Sequence, residues 1–265
     1  MEIITCIKQI LDPDLPPAKF TIDAQKNRVI PPEGIPPVIN PDDALAVEAA
    51  LRIKEKKGGR ITILTLGGKT AEDMVRKALA MGADEGRIIS APDFEGLDSF
   101  ATAYLLSQAI RKVGKFDLVL CGRQAADWDF GAVGSVLAEF LGIPAVTRAK
   151  EISPLDGKLT VEKVSIAGSE TLEVGLPALV TVSNELGKAR IPSGWGIITA
   201  AKKEIPTWSL PDIGVDPSSG KLSARNKLLK LSAPSMERKC EWVKGDVPAE
   251  VAEKLAQKIM EKKVL

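Results

Sequence analysis

Histidine is absent from this chain of 265 residues, and with it the commonest general base and the commonest metal ligand. A Ser-His-Asp triad is excluded, and a zinc centre is left without its usual ligand. Cysteine is scarce. Cys6, Cys121 and Cys240 are odd in number and widely spaced, so a disulfide framework is not indicated; Cys6 and Cys121 fall in apolar runs and read as buried, reduced thiols. Charge of either sign is not in excess: Lys+Arg 36 against Asp+Glu 35 leaves a net charge of +1, no footprint for nucleic acid or for a membrane surface. Long apolar runs are missing too. Stretches such as LPALVTV at 176–182 have the length of a strand, far short of the roughly 20 residues of a membrane helix. Met1 leads into EIITCIK without the pattern of a signal or transit peptide, so the expected location is cytoplasmic. No internal repeat or low-complexity tract is present. With no catalytic side chain and no metal ligand set in view, chemistry is expected from a bound cofactor.

What the chain does contain is alternation. With 45% hydrophobic residues it can bury one sizeable core with appendages, or two modest domains. Residues 2–8, 60–66, 86–90, 117–121 and 178–182 are short β-branched runs separated by segments of helical period. Asn40-Pro41-Asp42-Asp43 predicts a helix start, with Asn40 as side-chain cap, proline at the first position and two acids in the positive first turn. Along that helix Val47, Ala50 and Leu51 form an apolar stripe, and Glu48 and Arg52 pair on the polar side. Thr70 opens a second helix ended by Gly82, a third covers about 99–113, and a fourth ends at Gly142. Such alternation implies a mostly parallel sheet covered on both faces, with ligands beyond the carboxyl ends of its strands. The ends of 2–8, 60–66 and 117–121 are the candidate walls. Residues 19–32 and 151–176 interrupt the rhythm as antiparallel ribbons, the second turning at Asp156-Gly157 and Gly168-Ser169.

The densest signal is DLVLCGRQAADWDFGAVGS at 117–135, a strand that runs through a glycine-bearing loop into a helix. Unpaired N–H groups at such a helix start suit a phosphate, although the same turn can simply close a βα corner. Gly131 and Gly134 allow close backbone approach, and Ser135 adds a hydroxyl. Asp127 and Asp129 would repel phosphate, so they read as loop caps or as acceptors for adenine or ribose. Arg123 could balance a ligand's charge, lie in solvent, or face a partner.

The pieces CIKQILDP (6–13), NPDDALAVEAALRIKEKK (40–57), ALAMGADEGRII (78–89), the loop 117–134, GSETLEVGLPALVTV (168–182) and DIGVDPSSGKL (212–222) resemble, in order and spacing, the β subunit of electron-transfer flavoproteins, the FixA-like family. The resemblance covers nearly the whole chain. It implies a three-layer αβα Rossmann-like fold of the adenine nucleotide alpha hydrolase-like type, and an obligate heterodimer with an α subunit that holds one FAD. The pair would pass electrons between dehydrogenases and an acceptor. The β subunit in this family holds a buried adenine nucleotide, AMP in ordinary carriers and a second FAD in those that bifurcate electrons from NADH. Carried over, the nucleotide positions are Cys6, Lys8, Asn40, Asp42, Asp43, Leu66, Gly122, Arg123, Gln124, Ala125, Asp127, Asp129, Phe130, Gly131, Val133, Gly134 and Ser135.

The loop departs from the AMP-binding pattern. Ordinary carriers resemble DCNQTG there, whereas this chain has Asp129-Phe130-Gly131-Ala132-Val133-Gly134, without the polar side chains. FAD is therefore the expected ligand and AMP the alternative. Ala132 and Ser135 differ from the bifurcating group as well, and Ile166 stands where the family commonly has an acid. The segment 190–203 resembles the family's recognition loop, so an acyl-CoA or other dehydrogenase is expected to dock near Arg190, Gly194 and Trp195, with Trp195 as anchor unless it is a core residue of the loop. Residues 1–204 read as the nucleotide-binding α/β domain. Residues 205–265 read as an arm and a closing helix, about 247–262, that dock on the α subunit, a helix docked on its own domain being the alternative. A different class of protein shares some of these features: an ATP-binding, stress-protein-like or nucleotide-hydrolysing α/β module, whose loop ending resembles Gly134-Ser135-Val136 but which would carry glycine where Ala125 stands.

Overall fold

The apolar runs and helical segments assemble around one large sheet in the computed structural model, which describes residues 1–91, 94–232 and 240–262. In chain order the elements are β1 (Glu2–Ile7), β2 (Gln9–Ile10), β3 (Thr21–Asp23), β4 (Arg28–Ile30), β5 (Val38–Ile39), α1 (Pro41–Lys57), β6 (Arg60–Leu66), α2 (Ala71–Met81), β7 (Glu85–Ile89) and α3 (Ser99–Val113). There follow β8 (Leu118–Gly122), α4 (Val133–Leu141), β9 (Ala145–Pro154), β10 (Lys158–Ser165), β11 (Gly168–Gly175), β12 (Ala178–Val182), α5 (Gly194–Ala201), β13 (Thr207–Trp208) and α6 (Pro248–Glu261).

Among the described residues nine strands form the main sheet in the order β11-β10-β9-β12-β8-β1-β6-β7-β13. Pairing is parallel from β9 across to β13, and β10 and β11 extend the β9 edge as an antiparallel ribbon. The central strands are buried on both faces, which explains why EIITCI and ALVTV read as continuous apolar runs rather than alternating ones. One face packs Ile3, Ile61, Ile63, Leu118 and Val180 against α1, α2 and α5; the other packs Ile4, Leu64, Val119 and Leu179 against α3 and α4. This is an α/β Rossmann-like arrangement with helices on both faces. From β1 the chain proceeds through β6 and β7 to one side, then returns to place β8 on the other. The order reverses between β1 and β8, and in open sheets of this kind the carboxyl ends at such a reversal are where ligands bind.

Helix limits follow the sequence closely, but two caps differ. Asn40 and Thr70 precede α1 and α2 without either side chain capping its own helix. Thr70 pairs with Gln9 instead, and Asn40 reaches a distant loop. The second ribbon turn falls at 166–167, with Gly168 already the first residue of β11. Beyond α5 the chain adds β13 to the sheet edge beside β7 and buries Leu210, Ile213 and Val215 against the α3 face, while α6 keeps no buried residue. Part of the expected arm, residues 233–239, and the terminal 263–265 lie outside the described residues. Among the described residues no helix is long and apolar enough to cross a membrane.

The Glu48–Arg52 pair is not a solvent-facing one. Glu48 is only 5% exposed, and besides Arg52 Nε at 2.8 Å it accepts the Arg190 backbone N–H at 3.1 Å and Arg190 Nε at 2.7 Å. Burial opposes the charge of Glu48, but these bonds outweigh it and hold the carboxyl below its ordinary range. Arg190 also reaches Glu55 at 2.6 Å, so the segment that leads to α5 is clamped to α1. At its far end α5 is held by Arg76 on Ala200 O at 2.7 Å and by Lys203 on Ala83 O at 2.8 Å. Arg190→Leu should therefore strip Glu48 of its main donor and lower unfolding free energy by about 2 kcal/mol in urea titrations. Arg190→Lys should recover only part of it, because an ammonium cannot fork across two carboxylates.

Candidate functional site

Three backbone ends meet at the reversal of strand order: β1 running into Lys8, β8 running into Gly122, and the start of α1. They are joined by Asp43. Its Oδ2 accepts the Lys8 N–H at 2.8 Å and its Oδ1 accepts the Gly122 N–H at 2.9 Å, so a single side chain closes the carboxyl ends of two neighbouring strands. The fit at Gly122 leaves no room for a side chain, since a Cβ there would lie 2.4 Å from Asp43 Oδ1 and 2.7 Å from the Asp43 nitrogen. Burial pushes the Asp43 carboxyl up to about 7, even though the Lys8 and Gly122 amides and the Asn40 side chain favour its charged form.

Asn40, also buried, holds the loop that follows. Its Nδ2 donates to Gln124 O at 2.8 Å, and its Oδ1 accepts the Ala126 N–H at 3.0 Å, a two-point grip across 84 and 86 residues of chain. Lys8 Nζ pairs with Asp127 at 2.7 Å, and Gln124 Nε2 donates to Asp129 Oδ1 at 2.9 Å. Asp127 and Asp129 are thus engaged within the protein, in line with the reading that they cap the loop. Asp129 and Gly131 both adopt left-handed backbone, φ 52° and 60°. The Arg123 guanidinium lies near Asp42, whose carboxyl burial raises while the Gln124 amide and Arg123 oppose the rise.

From this loop the chain enters α4. Ala132 offers no side-chain cap and the first turn holds no acid, which leaves the leading N–H groups open to an external acceptor. Gly134 is buried, and a Cβ there would meet Thr181 Cγ2 at 2.4 Å. Its lack of a side chain serves the close seating of α4 on β12, a packing reason for glycine here; its N–H stays part of the helix start. Thr181 also accepts the Arg148 N–H at 3.0 Å, where the β9–β12 register shifts and Arg148 takes φ 63°.

The structure brings together Lys8, Asn40, Asp42, Asp43, Gly122, Arg123, Gln124, Asp127 and Asp129 through these contacts, with Ala125, Phe130, Gly131, Val133 and Ser135 on the same loop and helix start. Cys6 lies beneath them. Its thiol packs in the α3–α4 face against Cys121, and this contact together with burial pushes the Cys121 thiol up, keeping it protonated. Leu66 ends β6, one strand beyond β1 and partly buried. Sequence reasoning missed Ala126, whose backbone alone is used, and Thr181, whose role appears only when β12 and α4 are packed. Chemically the arrangement offers amide donors at the start of α4, a guanidinium on the same loop, and loop carboxylates already engaged within the protein.

Comparison with known proteins bears on the same elements. The family model described as electron transfer flavoprotein domain matches residues 29–213. The chain is 40% identical over 267 residues to the caffeyl-CoA reductase-Etf complex subunit CarD of Acetobacterium woodii, covering 100% of both chains. It is 39% identical over 267 residues, again 100% of both, to the electron transfer flavoprotein subunit beta of Thermoanaerobacterium thermosaccharolyticum. With the corresponding subunit of Megasphaera elsdenii identity is 37% over 242 residues, 88% of each chain.

The raised Asp43 carboxyl makes a pH test possible. Its folded value near 7 lies above the ordinary 3.8, so the native state binds the extra proton in that window and stability falls as pH rises through it. Asp43→Asn has no proton to lose. Its unfolding free energy relative to the native chain should therefore improve between about pH 5 and about pH 8, read from urea titrations at both. A gap between the two proteins that is constant with pH would show that Asp43 titrates elsewhere.

Proposed function

Because the chain belongs to the electron transfer flavoprotein β subunit family, we propose that it works as one half of a heterodimer with an α subunit and holds an adenine nucleotide at residues 122–135. The pair passes electrons between dehydrogenases and an acceptor. The observation that carries the nucleotide reading is the open start of α4, uncapped and free of acid, at the end of a loop whose backbone Asn40, Lys8 and Gln124 hold in place.

FAD suits this site better than AMP. Gly131, Ala132, Val133 and Gly134 offer no hydroxyl or amide side chain to close over a single phosphate. A second phosphate needs backbone donors and space, and helix amides are such donors. When bound, FAD would supply a redox-active ring in this chain in addition to the one expected in the α subunit, and NADH is then the expected electron source; AMP would supply no redox chemistry. The protein's own part is positional. Asn40 and Asp43 keep the loop and both strand ends in register, Arg123 offsets negative charge, and the packed faces of β1 and β8 exclude water from beneath the ligand.

Docking of an acyl-CoA or other dehydrogenase is assigned to α5. Trp195 is 77% exposed, with Ile191, Ile197 and Ile198 also exposed around it, an apolar patch suited to a transient interface. Arg190 contributes by holding this segment to α1 rather than by offering a free charge. The relative named for a caffeyl-CoA reductase complex is a precedent for such an assembly. Residues 207–215 pack on this chain's own sheet and α3 face, so it is the arm beyond Val215 together with α6, whose Leu255 and Met260 are exposed, that is assigned to the α subunit.

Ligand counting tests the proposal. The heterodimer, precipitated with acid and its released nucleotides quantified, should yield FAD near two equivalents and no AMP. One FAD with one AMP would leave an ordinary single-flavin carrier, and no nucleotide from this chain would remove the site. Trp195→Ala should slow electron transfer from the dehydrogenase while leaving flavin content intact; lost flavin would assign Trp195 to the fold instead.

A further inference from the structure

Aromatic residues are only 4% of this chain, yet two of them stand in water on the site loop: Trp128 is 48% exposed and Phe130 63%. Large rings left in solvent on a fixed backbone call for an occupant. The backbone here is fixed. Asn40 binds on either side of Ala125, Lys8 pairs with Asp127, Gln124 binds Asp129, and the N–H groups of Trp128 and Asp129 both donate to Ala125 O, at 3.2 and 2.8 Å. Left-handed residues at 129 and 131 flank Phe130. Other rings near the sheet find partners within the chain: Phe140 meets Phe100 and Tyr104, and Trp208 lies under Lys112; Trp195 and Trp242 are also exposed, but they lie outside the site loop. Among the described residues Trp128 and Phe130 enter no ring pair and no cation–π contact.

We propose that Trp128, together with Phe130, is the stacking surface for the second ring of a dinucleotide, the flavin ring of FAD, carried beyond the phosphates at the start of α4. This rests on the nucleotide reading above. Phe130 precedes the first residue of α4 by three positions, so the chain keeps its Cα within about 11 Å of the start of the helix. A mononucleotide whose phosphate meets those amides ends there and leaves both rings wet. A dinucleotide continues through a second phosphate and a sugar chain to another planar ring, and a ring held flat against an indole is the arrangement that removes the exposed aromatic surface. Asp129 between them is already bound to Gln124 and does not compete for the ring face.

The test uses the full chain purified with its partner subunit, freed of nucleotide and titrated with FAD and, separately, with AMP. Trp128→Leu should weaken FAD binding to this chain roughly ten-fold and abolish the flavin-dependent quenching of indole fluorescence assigned to Trp128, while AMP affinity stays the same. Trp128→Phe, which keeps a ring, should retain most of the FAD affinity. Equal loss for both nucleotides would put adenine or loop folding on Trp128 and overturn the proposal. So would unchanged FAD affinity with weaker subunit association, which would assign the rings to the partner. Failure of the underlying nucleotide reading is seen in the unmutated chain alone, as AMP bound without a second FAD or as neither bound.

Discussion

Two side chains at the start of α1 carry more of this site than the loop that looks like its centre. Asp43 accepts one amide from the end of β1 and one from the end of β8, and Asn40 grips the loop at Gln124 and Ala126. Both are buried, so each bond forms where an unpaired amide would be costly, and each joins segments far apart in sequence. The carboxyl ends of β1 and β8 meet where strand order reverses; Asp43 joins them and Asn40 holds the loop beside them. Everything assigned to the ligand, from the left-handed turn at 129–131 to the uncapped helix start, is placed by those contacts.

That division of labour explains the chemistry of the loop itself. Its carboxylates are spent on Lys8 and Gln124, so they do not meet the ligand as free negative charge. Its glycines serve different ends: Gly122 admits Asp43, Gly134 admits Thr181, and only Gly131 is set apart by its backbone conformation. What remains facing outward is amide hydrogen and aromatic surface. The face of α5 proposed for docking obeys the same logic at a distance, because Arg190, Arg76 and Lys203 fix α5 while its apolar side chains stay exposed. Rigid backbone with uncommitted side chains is what a carrier with changing partners requires.

Much of the fold was legible because the strands are apolar on both faces and the helices carry ordinary start and stop signals. The limits of α3 and of β6 and β12 fall where the pattern puts them. The errors share one cause. Local neighbours make Asn40 and Thr70 caps, but each spends its side chain on residues distant in sequence, Gln124 and Ala126 for one and Gln9 for the other; the Glu48–Arg52 pair forms as its spacing predicts, and what spacing leaves out is Arg190 on the same buried carboxylate. Local spacing cannot show such partners, since a polar side chain that caps a helix and one that crosses to another strand look alike in sequence. The packing at Gly134 is hidden in the same way: its neighbour Thr181 is visible only once β12 lies under α4. Trp128 drew no attention from pattern alone, because its exposure, not its spacing, sets it apart.

The central claim is that the loop held by Asn40 and Asp43 is where the nucleotide binds. Hydrogen–deuterium exchange on the full chain in its heterodimer, with nucleotide removed and then restored, tests this directly. The account predicts slower amide exchange on restoration at the ends of β1 and β8, across 122–131 and in the first turn of α4, with the ribbon β9–β11 unchanged. Unchanged exchange through 122–136, with protection gained elsewhere in the chain, would contradict it.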